Sequence, residues 1–98
     1  MNAVVSLFIE NLTPKVKDTL VGTAKLVIEN EGSVMLNNKG AYAGDEDADV
    51  VLLAPESIFR AILDGSQNPA MAYMSGKLKV EGSSMRALKV SEILTSQN

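Results

Sequence analysis

The 98-residue chain contains no cysteine and no histidine. Without cysteine there is no disulfide, no thiol nucleophile and no thiolate-bound metal, and the redox compartment leaves no mark on the sequence. Without histidine, the commonest general base near neutral pH and the commonest transition-metal ligand are both missing. Together these absences weigh against an enzyme. Positive charge is also short: nine Lys and Arg stand against twelve Asp and Glu, a net charge of −3. Phosphate contacts need clustered Lys and Arg, so nucleic acid is not an expected partner. No apolar run approaches the ~20 residues that span a bilayer. Ala3 to Ile9 is broken by Ser6, followed by Glu10, and lacks the basic lead-in of a signal peptide. A cytoplasmic location is expected, with no cofactor.

Two templates fail on inspection. Asp45, Asp47, Asp49 and Glu56 fall at calcium-loop positions, but Val50 stands where that loop requires glycine. Gly76-Lys77 resembles the end of a phosphate-binding loop, yet Met71 occupies the first glycine position and Leu78 the Ser/Thr position. No metal site is expected.

What the chain does contain is a regular sequence of elements. The length suits one domain, residues 1–98, with a single core. Val4, Val5, Phe8, Ile9 and Leu12 recur at helical spacing, predicting a short amphipathic helix over 3–12. Thr13 and Pro14 then read as cap and first turn of a second short helix. Alternation over 24–29 predicts a strand, Asn30-Glu31-Gly32 a turn, and Ser33 to Leu36 its hairpin partner. A second turn at Asn37–Gly40 leads to Ala41–Gly44, which extends the sheet. Asp45–Asp49 is a solvated acidic loop. Val50-Val51-Leu52-Leu53 is apolar on both faces, the pattern of an interior strand covered on each side. Pro55 and Glu56 open a helix with Ile58, Phe59, Ile62 and Leu63 on one stripe, and Gly65 ends it.

The stretch Asn68 to Gly82, NPAMAYMSGKLKVEG, is the densest in signals. Asn68 is a good N-cap and Pro69 suits the first helical position. Gly76 supplies a left-handed stop. Lys77, Lys79 and Glu81 then alternate with Leu78 and Val80, as in a strand with one face on a core. A final helix follows over about 84–95, with Ala87, Val90, Ile93 and Leu94 on one face and Met85 and Leu88 nearly opposite.

This stretch resembles the signature of the sterol carrier protein domain family, of the non-specific lipid-transfer type. The match rests on Asn68, Pro69, Ala72, Tyr73, Gly76, Lys77, Leu78, Val80 and Gly82. Ala48-Asp49-Val50 through Leu53, then Phe59, Leu63 and Gly65, then Ala87 to Val90 fit further family segments in the same order. Three features depart from the pattern. The N-terminal helical region is shortened, no tryptophan marks the second strand, and Met85 and Arg86 open the last helix where small or apolar residues are usual. The last departure bears on the shape and polarity of one tunnel end.

The order of elements and the resemblance both imply an α+β fold: an antiparallel-dominated sheet of about five strands with helices packed on one face. The resemblance adds an apolar tunnel between the layers. Its wall would be Phe59, Ile62, Leu63, Met71, Met74, Leu78, Val80, Met85 and Leu88. Taken without the resemblance, the same residues read as ordinary core. Arg86 and Lys89 would meet a ligand head group or a membrane surface, though scattered solvated charges explain them as well. The function so implied is non-enzymatic binding and transfer of a fatty acid, acyl thioester, sterol or prenyl lipid, with transient contact to membranes. The alternative is an accessory module of the same fold with a reduced cavity. It would dock a partner, form a homodimer or present prenylated quinone intermediates.

Overall fold

The computed structural model describes residues 3–95. Its centre is the strand Ala24–Ile28 (β1), whose Ala24, Leu26 and Ile28 are buried. On one side β1 pairs antiparallel with Gly32–Asn37 (β2), which pairs antiparallel with Gly40–Ala43 (β3). On the other side it pairs parallel with Val50–Ala54 (β4), which pairs antiparallel with Lys79–Gly82 (β5). The sheet order is thus β3-β2-β1-β4-β5, antiparallel except at the central β1/β4 pair. The first hairpin turns on Asn30, held left-handed at φ 65°, with the Glu31 amide donating to the Ile28 carbonyl at 2.9 Å. Asparagine tolerates that conformation better than other non-glycine residues.

Four helices are present among the described residues: Ala3–Val16 (α1), Glu56–Asp64 (α2), Pro69–Met74 (α3) and Ser84–Thr95 (α4). α1 packs on β2 and β3, and α4 packs on β4 and β5, with α2 and α3 against α4. Register puts Leu26, Val34, Leu52 and Val80 in one row across the sheet. The first three are buried and Val80, on the edge strand, is half-buried. Burial on this face, roughly 25 cal/mol per Å² of apolar surface, holds the layers together.

Two expectations change. The expected break at Thr13-Pro14 does not occur, and α1 runs through to Val16. Pro14 sits in the last turn, where it forfeits a single helical bond. The buried ladder Val5, Phe8, Leu12, Val16 continues past it. The Thr13 hydroxyl does not cap a new helix: it donates to the Ile9 carbonyl at 2.8 Å and accepts from the Ala41 amide at 3.1 Å. β4 is also covered less than its composition implied. Val50, Leu52 and Ala54 are buried, while Val51 and Leu53 on the outer face are half-buried. The acidic loop lies over part of that face, tethered by Lys25 to Asp45 at 2.8 Å.

Candidate functional site

The residues expected to wall a tunnel fall into three sets. Phe59, Ile62 and Leu78 are each 1 % exposed and belong to the core shared by sheet and helices. Leu63, Val80 and Leu88 are half-buried at its margin. Met71, Met74 and Met85 lie on the surface at 66, 83 and 76 % exposure. Helical geometry explains the division. α3 is anchored by Pro69 and Ala72, which leaves Met71 and Met74 off its buried side. α4 buries Ala87, Val90, Ser91 and Leu94, which leaves Met85 outside.

The interior layer is tightly packed at its largest side chains. Phe8 and Phe59 meet edge to face, ring centroids 6.3 Å apart at 76°, and tie α1 to α2. Leu12, Leu26, Leu36 and Leu94 are each at 1 % exposure or less. A largely apolar opening lies to one side. A cleft of about 560 Å³ runs between α4 and the segment joining α1 to β1, lined by Thr19, Leu20, Val21, Arg86, Lys89, Val90 and Ile93. Its size falls within the roughly 300–1,000 Å³ of small-molecule sites.

Each wall has a local cause. Gly22, at φ 80°, turns the chain into β1 and leaves Val21 83 % exposed beside the cleft. Reciprocal bonds brace this turn. The Thr23 amide donates to Asp49 Oδ2 at 3.1 Å, and the Asp49 amide donates to Thr23 Oγ1 at 3.0 Å. Arg86 Nη2 donates to the Val21 carbonyl at 3.0 Å and lies 3.7 Å from Asp49 Oδ2. Opposite, α4 presents Val90 and Ile93 as an apolar floor with Lys89 exposed at the rim. The arrangement is an apolar slot with two cationic groups at its mouth. Among the described residues its lining carries no carboxylate, and it suits a ligand with a hydrocarbon body and an anionic head.

Both cations were legible in the sequence; the facing wall was not. Leu20 and Val21 sit in a connector with no periodicity, and only an apolar pair before a glycine hints at them. Ser91 was missed as well. It is 1 % exposed, and its hydroxyl is satisfied by the Ala87 carbonyl at 2.9 Å. A residue this small lets α4 approach the layer beneath it.

A sheet ordered this way, with helices packed on one face and an apolar slot beside the last of them, defines a class of small α+β domains. The SCP-2 sterol transfer family model matches residues 7–95, and the chain belongs to that family. It is 35% identical over 69 residues to a fatty acid-binding protein of Yarrowia lipolytica, spanning 70% of this chain and 51% of that one. It is 36% identical over 67 residues to mouse hydroxysteroid dehydrogenase-like protein 2, covering 64% of this chain but 14% of the mouse protein. The chain thus spans about half or less of these relatives' lengths. Among solved structures, Aedes aegypti sterol carrier protein-2 in complex with palmitate has the same fold, with a TM-score of 0.74 over 96% of both chains at 16% identity.

Proposed function

We propose that the protein binds one long-chain lipid without chemically altering it and passes it between membranes or partner proteins. The observation that carries this reading is the apolar slot with Arg86 and Lys89 at its mouth, in a chain of this family. The palmitate-bound mosquito neighbour and the fatty acid-binding relative support an acyl chain as the ligand class. Hydrocarbon entering the slot would leave water, at about 0.8 kcal/mol per buried CH₂. That term is blind to chain identity, so selectivity would be loose. A carboxylate at the mouth would meet Lys89 and Arg86, giving a charge-assisted anchor.

The slot is open on one side, and the layer beneath α4 is filled by Phe59, Ile62 and Leu94. Full enclosure of a long chain therefore requires α4 to move away from β4 and β5. The decisive measurement is displacement of a fluorescent fatty acid from the purified protein, with Ile93→Asp and Lys89→Glu as variants. Saturable binding lost in Ile93→Asp and weakened in Lys89→Glu supports the reading. Binding that neither variant changes, or no binding of any lipid, overturns it. The packed interior favours a second reading, a docking module with a reduced cavity. Native mass spectrometry separates the two, because a carrier retains co-purified lipid and a docking module is empty.

A further inference from the structure

The methionines of α3 point into solvent, and the corner that follows them is built to hold them there. Met71 and Met74 lie three residues apart, hence on one face of the helix, at 66 and 83 % exposure, with Tyr73 beside them at 39 %. The backbone under this ridge is firmly fixed. The Asn68 side chain accepts from the Met71 amide at 3.1 Å. Pro69, Ala72 and Leu78 are buried. The Lys77 and Leu78 amides both donate to the Ala72 carbonyl, at 2.9 and 3.1 Å. Gly76 forms the tip, left-handed at φ 82° and with nothing within 4 Å of where a Cβ would stand.

The sequence of this corner is basic in an acidic protein. Between Asp64 and Glu81 the sequence carries no acidic residue, and its only charged residues are Lys77 and Lys79. Both are exposed, and together with Gly76 they line a cleft to which Glu29 contributes the acidic residue. We propose that this corner is where the protein touches an anionic bilayer: Met71 and Met74 dip among the acyl chains while Lys77 and Lys79 meet the lipid head groups.

Charge and size favour a bilayer over a protein partner. α3 has six residues and is about 9 Å long, whereas a stable protein interface takes roughly 20–30 residues and about 800 Å² from each partner. Methionine is flexible and adapts to a fluid surface, which demands no shape complementarity. A tyrosine at the edge of such a ridge suits the boundary between chains and head groups. Adjacent lysines add attraction to anionic lipid within a Debye length. The role rests on the lipid-carrying reading for its purpose, whereas its residues are separate from the α4 slot.

The test is co-sedimentation of the full chain with vesicles of equal parts phosphatidylserine and phosphatidylcholine, against pure phosphatidylcholine, at low and high salt. Fatty-acid displacement and oligomeric state are measured on the same samples. The wild type is expected on the anionic vesicles and to leave them at high salt. Met71→Ser/Met74→Ser should weaken partition at least tenfold. Lys77→Gln/Lys79→Gln should weaken it about thirtyfold and flatten the salt dependence. Fatty-acid affinity should stay unchanged in both variants. Equal binding to neutral vesicles, no binding to any, or indifference to both double variants overturns the proposal. A wild-type dimer that Met71→Ser/Met74→Ser converts to monomer assigns the ridge to a second copy and overturns it too. Vesicle binding without fatty-acid binding would leave the docking surface standing and remove the carrier reading alone.

Discussion

Arg86 Nη2, on the first turn of α4, donates to the carbonyl of Val21 at 3.0 Å, bridging the two walls of the apolar slot at its mouth. Its second partner, Asp49 at 3.7 Å, belongs to the residue pair that braces the turn into β1. Both side chains of this ion pair are close to half exposed, so its net contribution is about 0–1 kcal/mol. Its larger effect is on position. Arg86→Ala is therefore expected to lower unfolding free energy by ~1 kcal/mol or less in urea titration. Amide exchange in the first turn of α4 should rise well beyond what global stability accounts for. A fatty acid should lose more affinity in this variant than its methyl ester, because the ester carries no charge for Arg86 to meet.

Gly22 is the hinge of the same bridge. At φ 80° a side chain is strained, and a Cβ there would lie 2.6 Å from Asp49 Oδ2 and closer still to Arg86 Nη2. The conformational penalty alone is roughly 1–2 kcal/mol, and displacement of the two charged groups adds to it. Gly22→Ala should thus destabilise by about 2 kcal/mol, read as a lower urea midpoint with an unchanged slope. Adding Arg86→Ala should cost less than the sum of the two single changes, since the alanine at 22 has already displaced the guanidinium.

The elements showed in the sequence where local chemistry and tertiary packing agreed. Asn68, Pro69 and Gly76 bracketed α3 because cap, first turn and left-handed stop each require a residue type. Gly65 ended α2 for the same reason. Pro14 misled because a proline signal is local, whereas the Val5-to-Val16 ladder is fixed by β2 and β3 beneath it. The direction of Met71, Met74 and Met85 was not legible either. A short helix carries too few residues to fix its buried face, and neighbours distant in sequence decide it. The slot escaped because one of its walls is a connector, where no periodicity exists to read. Arg86 and Lys89, by contrast, stood out as the two cations of α4.

That division between core and surface carries its own prediction. Phe59 is 1 % exposed and packs on Phe8, so Phe59→Ala removes a ring that the surrounding layer cannot refill. The expected loss is about 3–5 kcal/mol, enough to leave so small a domain marginal at 37 °C. Met74→Ala, by contrast, removes a side chain that is 83 % exposed. It should change stability by ~0.5 kcal/mol or less. Thermal melts of the two variants beside the wild type check both figures, and a costly Met74→Ala would mean that this side chain is buried in solution.

The acidic loop is held across the outer sheet face by two bonds that share a pH dependence. The Lys25 ammonium donates to Asp45 at 2.8 Å, and that bond raises its pKa. The Tyr42 hydroxyl donates to Glu46 at 2.9 Å, and its pKa is raised chiefly by that bond. A group whose pKa is higher folded than unfolded stabilises fully below its unfolded-state value, and the contribution fades as pH climbs through the folded-state value. Both tethers should therefore hold at neutral pH and fail together in the alkaline range. The chain has two tyrosines, so Tyr73→Phe leaves Tyr42 as the sole phenol. In that background, phenolate absorbance should rise at a higher pH than for free tyrosine, and Glu46→Ala should return it toward the ordinary value. Amide exchange over residues 44–49 should accelerate across the same pH interval beyond its intrinsic dependence. A phenol that titrates normally while the loop stays protected would show that Lys25 and Asp45 hold the loop without Tyr42.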